Sequence, residues 1–441
     1  MEQRCTLADK AKLYLTRGRL FSFDSCNGFL AEYECGFNEE DANKAVKSLF
    51  AVYSLLGSAI KLEDDGAAFI EENRVGASVA FLEGDEKEIC RRLLREGLLF
   101  SEKLFAFFVI NNKTLFVLGH RAVSDARSLM YLAEEFLEFY SRKRISVESV
   151  CSESFSDIFS LPSNAFSPVV ERLASDLEVG WQKKPAAFTV EDYKKAKTIY
   201  FNEQPQIKEL RCSFEEAEFE ALKRFSEKNG VDVSSVVAFA FFEALDEVVE
   251  GKRKFKKMNV VSNGRPFFEV DEKYKVAPLD GFVTVNGKRK KKADTSRLGK
   301  LKSFHGEIYK RVTSSFTVFY TDLLHGKVPP FFCDSAYMFA AGLWKQKYSK
   351  RLALTYGCAN EVMNEFTSFN LEQGHWSGLS DFRRVEVFEP LKLRSASSVC
   401  FAIRDGEAEV VFRFKIDKIS EVKGKKIFLK ATETIRNITE I

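Results

Sequence analysis

Among residue types able to move a proton near neutral pH, histidine is scarce here: there are four, at positions 120, 305, 325 and 375. His120 stands beside Arg121 and five residues before Asp125, in "LFVLGHRAVSDARSLMYL". A histidine next to a carboxylate at a strand end is a general-base arrangement. Arginine in the same place is a permanent cation that binds a phosphate, carboxylate or oxyanion but cannot accept a proton. The competing reading of His120 is a satisfied, half-buried side chain. No G-x-S-x-G elbow, Walker loop, G-x-G-x-x-G or H-E-x-x-H accompanies these residues, which removes the common hydrolase, nucleotidase, dinucleotide and zinc-protease readings.

The elements that must hold this segment are readable from periodicity. Leu115–Leu118 is a continuous apolar run, and "SLMYLAEEFLEFY" from Ser128 is helical, so His120, Arg121 and Asp125 lie in a turn between a buried strand and a helix. "LFAFFVINNKTLFVLGH" adds a second apolar run before Asn111, Asn112 and Lys113, which predicts a hairpin buried on both faces. Upstream, Asn38 caps a helix with apolar residues at 42, 45, 46, 49, 50, 53 and 56, ending at Gly57.

After a mixed, serine-rich passage between about 141 and 207, helical signals restart. Ser213 and Glu216 form a capping box, and Gly230 ends that helix. "VDVSSVVAFAFFEALDEVVEG" is apolar nearly all round and predicts a buried helix. "MNVVSNGRPFF" is a strand ending at Asn263, Gly264 and Arg265, with "APLDGFVTVNG" as the next strand. "SSVCFAIRDGEAEVVFRFKI" is a hairpin turning at Asp405-Gly406. Both halves mix helices with hairpins, which predicts an α/β protein of two related lobes rather than a doubly wound parallel sheet.

Bulk properties agree with a globular chain: 441 residues, 45% hydrophobic and 30% charged, with 43 phenylalanines against 9 prolines. A net charge of +3 gives no global field for nucleic acid. Two basic runs, 251–257 and 287–292, read as solvated loops or strand ends. Nine cysteines, at 5, 26, 35, 90, 151, 212, 333, 358 and 400, show no C-x-x-C spacing, so free thiols and no metal site are expected. The start lacks a signal-peptide core and no later run could span a membrane, which predicts a cytoplasmic protein.

"GHRAVSDARSL" resembles, without a gap, the HHxxxDG signature of the coenzyme-A-dependent acyltransferase superfamily, which includes chloramphenicol acetyltransferase, alcohol acyltransferases and the condensation domains of nonribosomal peptide synthetases. "VVSNGRPFFEV" followed by "APLDGFVTVNGKR" is similar to that family's strand ending in Gly-Arg and its Gly-Phe-Val segment. "TSFNLEQG" is loosely similar to its Ser-Asn segment. The resemblance implies two chloramphenicol-acetyltransferase-like lobes, each a mixed sheet with flanking helices, meeting at a central channel. By position they are an N-terminal lobe 1–185, a linker 186–207 and a C-terminal lobe 208–441.

It also implies transfer of an acyl group from coenzyme A or carrier-bound phosphopantetheine thioester to an alcohol or amine, with no covalently bound cofactor. In the family the second histidine of the pair, four positions before the aspartate, is the base. Here that position is Arg121, and His120 occupies the first. The family glycine after the aspartate is Ala126, which crowds a turn that the family keeps open. Asp125 keeps its family role, a structural pairing with arginine, for which Arg265 stands in the matching place. The alternative for Asp125 is a cap on the helix beginning near Ser128.

Strand alternation turns His120 away from whatever position 121 faces, unless a bulge swaps them. His375, in "EQGHWSG", is the alternative base from the other lobe, with Trp376 beside it as packing. The run from Lys288 to Lys292 reads first as a solvated charge run, with contact to coenzyme A phosphates or an acidic carrier protein as the alternative. The loss of the base leaves two functional expectations, an acyltransferase-like enzyme or a non-catalytic ligand-binding or regulatory condensation-like module. A chain that supplies both sides of its own cleft is expected to be a monomer.

Overall fold

The computed structural model describes residues 25–62, 68–71, 75–142, 206–249, 257–267, 276–286, 296–312, 363–370, 382–388, 391, 395–404 and 406–439, with isolated positions between 167 and 198. In chain order the elements of the first half are β1 (Cys26–Tyr33), α1 (Glu39–Val52), β2 (Ala59–Leu62), β3 (Ala68–Glu71), β4 (Val79–Leu82), α2 (Glu86–Glu96), β5 (Phe105–Ile110), β6 (Thr114–His120) and α3 (Ala126–Arg142). The second half holds β7 (Ile207–Phe214), α4 (Glu216–Asn229), α5 (Val233–Val248), β8 (Lys257–Asn263), β9 (Asp280–Asn286), α6 (Arg297–Val312), β10 (Met363–Asn370), β11 (Phe382–Phe388), β12 (Ser395–Arg404), β13 (Glu407–Lys415) and α7 (Glu421–Thr439).

Two large mixed sheets carry the fold. One has strand order β11-β1-β6-β5-β4, the other β7-β13-β12-β10-β8-β9, and β2 and β3 pair separately. The expected α/β class with a mixed sheet in each half is therefore present. In the first sheet β4 runs parallel to β5 while β5, β6 and β1 alternate; in the second β12, β10 and β8 run parallel.

The β5–β6 hairpin lies at the centre of the first sheet, and every residue of β6 is buried. Leu115 and Val117 join Phe105, Phe107 and Val109 in the core beneath α1 and α3, while Phe116 and Leu118 pack with Ile89, Cys90 and Leu93 of α2. An apolar run without alternation is what burial on both faces requires. Asn111 and Asn112 both take positive φ, 51° and 56°, and asparagine tolerates that region better than most residues. Burial also pushes the Cys90 thiol up to about 12, which leaves it inert.

In the second half, α5 is buried along most of its length, with Val236, Phe239 and Phe241 at its centre, and packs against α7 and the β12–β13 hairpin. That hairpin turns between Arg404 and Glu407, with Gly406 at φ 80°, as the Asp-Gly pair predicts.

Three boundaries differ from the sequence expectation. Helix α1 stops at Val52, because Tyr53 leaves the helical region and sends its hydroxyl 2.7 Å to Glu135 of α3; a single 3₁₀ turn then runs to Gly57. The box on α4 is formed by Glu215 and Glu218, the Glu218 carboxylate accepting the Glu215 N–H at 3.3 Å. Ser213 is instead held in the β7 ladder opposite Glu409. Helix α3 begins at Ala126, two residues before Ser128.

The second half also lends a strand to the first. β11 pairs antiparallel with β1, from Gly28 opposite Phe388 to Tyr33 opposite Phe382, so a cut at 207/208 does not separate the two sheets. The linker expected at 186–207 falls largely outside the described residues. Glu386 of β11, buried, joins Arg211 of β7 and Arg413 of β13, and Arg413 also reaches Glu209 at 2.7 Å. Arg384 of β11 pairs with Glu86 of α2. β11 is thus fixed to one sheet by its backbone and to the other by charge. Glu386→Ala should destabilise the fold by about 2–3 kcal/mol in chemical denaturation, because two arginines lose a buried partner while keeping Glu209. Glu386→Gln, which keeps an acceptor, should cost less.

Candidate functional site

The turn after β6 is built by its own backbone. The His120 carbonyl accepts the Val123 and Ser124 amides, each at 3.1 Å, and the Ser124 hydroxyl at 3.0 Å. Arg121 continues the β1 pairing by donating its N–H to the Ser25 carbonyl at 2.7 Å. Close approach here depends on Gly119, where a Cβ would lie 2.5 Å from Leu129 and 2.7 Å from the Ser124 hydroxyl.

His120 is 1% exposed, opposite Cys26 in the β1–β6 register and edge-on to the Phe100 ring. Its Nδ1 lies 3.2 Å from the Ala122 amide, which donates to it. A backbone N–H can only donate, so Nδ1 is the acceptor in this contact. A ligand using the Nδ1 lone pair would have to displace the amide. Arg121 is half-buried.

Asp125 is the centre of the arrangement. Its carboxylate accepts six hydrogen bonds, three on each oxygen. Oδ1 takes the Ser128 amide at 2.8 Å, the Ser128 hydroxyl at 2.8 Å and Arg265 Nη2 at 2.9 Å. Oδ2 takes Arg265 Nη1 at 2.9 Å, the Leu279 amide at 2.8 Å and the Asp280 amide at 2.9 Å. Bridge and cap, alternatives in the sequence, are simultaneous: Asp125 precedes α3, satisfies one of its open amides, and holds Arg265 in a two-pronged pair.

Ser128 completes the cradle. Its hydroxyl receives Arg265 Nη2 at 3.1 Å and the Ala277 amide at 3.0 Å, and shares its proton between Asp125 and the Ala277 carbonyl, at 2.8 and 2.9 Å. Burial alone would raise the Asp125 pKa. The Arg265 guanidinium and the donated hydrogen bonds outweigh it and hold the carboxyl below the usual carboxylate range. Burial likewise disfavours the Arg265 cation, and Asp125 reverses this, raising its pKa.

Ala126, expected to crowd the turn, is instead the first residue of α3, fully buried, and it is not among the described residues with positive φ. A helical position has no need of glycine, so the methyl group is accommodated without strain.

Beside the cradle, Arg127 pairs with Asp280, donates Nη2 to the Ser368 carbonyl at 2.8 Å, and lies 5.1 Å from the centre of the Phe369 ring. Nothing in the sequence joins these residues, which stand 153 and 241 positions apart. Ser128 was legible only as part of a helix start. His375, Trp376, Lys288–Lys292 and the basic residues 251–256 lie outside the described residues. Among the described residues no His, Cys, Asp or Glu group is arranged to hold a metal ion, and no helix is long and apolar enough to cross a membrane.

Solved structures share this architecture. The condensation domain of the monacolin K polyketide synthase is 8% identical with a TM-score of 0.64, covering 99% of this chain and 98% of its own. The epimerization domain from the third module of tyrocidine synthetase B is 14% identical with a TM-score of 0.58, covering 95% and 93%. Polyketide synthase associated protein 5 from Mycobacterium tuberculosis is 10% identical with a TM-score of 0.58, covering 100% and 98%. No protein-family model and no curated protein matches the sequence. The chain has the condensation-domain fold.

Asp125→Ala should cost about 3–5 kcal/mol, since it strands the buried Arg265 cation, and Asp125→Asn should also destabilise, since its NH2 would face three donors. A carboxyl whose folded pKa lies below its unfolded value contributes stability that is complete above the unfolded value and is lost as pH falls through the folded one. Acid unfolding of the wild type should therefore carry a component below about pH 4 that Asp125→Asn lacks. Denaturation midpoints followed between neutral and acid pH measure both effects.

Proposed function

We propose that this condensation-fold protein binds an acyl thioester, carried on coenzyme A or on the pantetheine arm of a carrier protein, in a channel between its two halves, and does not abstract a proton with residues 120 and 121. It works as a ligand-binding or regulatory module built on an acyltransferase framework. The observation that carries this reading is the state of the two candidate bases. An arginine side chain is not a proton acceptor, and the Ala122 amide donates to His120 Nδ1. The intact Asp125 cradle supports retention of the framework's geometry. Structural neighbours drawn from nonribosomal peptide synthetases and a synthetase module support a carrier-borne ligand. We further read the protein as cytoplasmic and monomeric.

A second reading, an active transferase to an alcohol or amine, is favoured by that same cradle, which an enzyme of this architecture would need. General-base catalysis supplies about 100- to 10,000-fold, so positioning alone leaves a measurable rate, and His375 is the candidate for a base elsewhere in the chain.

Thiol release from acetyl- and longer acyl-coenzyme A, with a panel of alcohols and amines, separates the two. The wild type should release none above background, and Arg121→His should gain turnover. Wild-type turnover abolished by His120→Ala overturns the binding reading. Coenzyme A at millimolar concentration should raise the melting temperature of the wild type, because a ligand of the folded state adds to its stability.

A further inference from the structure

Asp125 and Arg265 do not cross between the two halves alone. Asp125 and Arg127 come from the first half, one on each side of the start of α3, and Arg265 and Asp280 come from the second, one after β8 and one at the start of β9. The first half thus presents a negative charge and then a positive one. The second presents the complements, and the two pairs run side by side with opposite polarity: Asp125 with Arg265, and Arg127 with Asp280. All four side chains are at most 13% exposed.

The pairs also share a covalent link. Asp280 holds Arg127 with its side chain while its own amide donates to Asp125 at 2.9 Å. Each cation lies close enough to the other pair's anion to favour its charged form: Arg127 acts on Asp125, and Asp280 acts on Arg265. Arg127 ties in a third element through the Ser368 carbonyl at the end of β10.

We propose that Arg127 and Asp280 form a second, polarity-reversed clamp that positions the 277–280 backbone against Asp125, and thereby sets the geometry of the ligand site between the two halves. They are positioning residues. The proposal deepens the binding reading for that same site, and its first readout requires no ligand.

The arrangement makes a consequence that an isolated ion pair does not. Exchanging the partners, Arg127→Asp with Asp280→Arg, restores a lone salt bridge wherever geometry allows. Here it places the new carboxylate two residues from Asp125 and the new guanidinium beside Arg265, so like charges adjoin on both sides. The exchanged pair should be worse than a neutral one.

The test is amide hydrogen exchange on the full chain, read at Leu279 and Asp280, whose N–H groups donate to Asp125. Arg127→Ala and Asp280→Ala should each speed exchange at these two amides by on the order of tenfold while leaving β5 and β6 protected, and the double variant should be no faster than either single one. The neutral pair Arg127→Gln with Asp280→Asn, which keeps hydrogen-bonding groups, should fall between wild type and the alanine variants. The exchanged pair should be faster than the neutral pair.

Wild-type protection in the exchanged pair overturns the proposal. So does a lowered melting temperature in Arg127→Ala with unchanged exchange at Leu279 and Asp280, which is the signature of a merely structural role. In parallel, Arg127→Ala should abolish the coenzyme A stabilisation seen with wild type. If wild type shows none, the binding reading fails while the exchange data still decide the clamp.

Discussion

A carboxylate cannot be buried without donors enough to replace its hydration, and Asp125 shows what that requirement imposes on a chain. Three donors on each oxygen come from three separated places: the first turn of α3, the guanidinium after β8, and the backbone before and into β9. None can move independently, because releasing any one exposes part of a charge to an apolar interior. The turn after β6, the start of α3 and the 277–280 segment are therefore placed by one side chain. Ser128 serves as both donor and acceptor within the cradle, which lets the site close without a further residue.

The same turn holds two kinds of group, those that fix its backbone and those that neighbour it. Holding the backbone needs a buried anion and a fixed cation, and both are present. Moving a proton needs a lone pair, and the guanidinium of Arg121 has none to give. The neighbouring imidazole is occupied by the chain itself. The charges that set the shape of this turn, those of Asp125 and Arg265, are thus distinct from the side chains of His120 and Arg121.

Away from the site, much of the architecture was legible in local pattern. The Asn38 cap and its spaced apolar residues marked α1, and the unalternating run around Asn111 and Asn112 marked a hairpin covered on both sides. The nearly all-apolar stretch after Ser235 marked the buried α5. The failures were at ends. Tyr53 leaves α1 because Glu135, far along the chain, accepts its hydroxyl, and Ser213 belongs to a ladder whose partner is Glu409. Capping motifs are local, whereas the ladder that competes for the same residue is not.

For the site, the sequence by itself determined which residues could carry charge, that Arg121 cannot take a proton, and that Asp125 sits where a strand gives way to a helix. Residue type decides protonation and local spacing decides the turn. Only the tertiary structure decided that Asp125 both caps α3 and grips Arg265, that Ala126 is helical and unstrained, that His120 spends its lone pair on Ala122, and that β11 crosses to pair with β1. It alone also brought Arg127 to Asp280. Each of these is a contact between segments that periodicity reads separately. Their pairing is settled by burial, which makes an enclosed charge costly unless a partner meets it, wherever in the chain that partner lies.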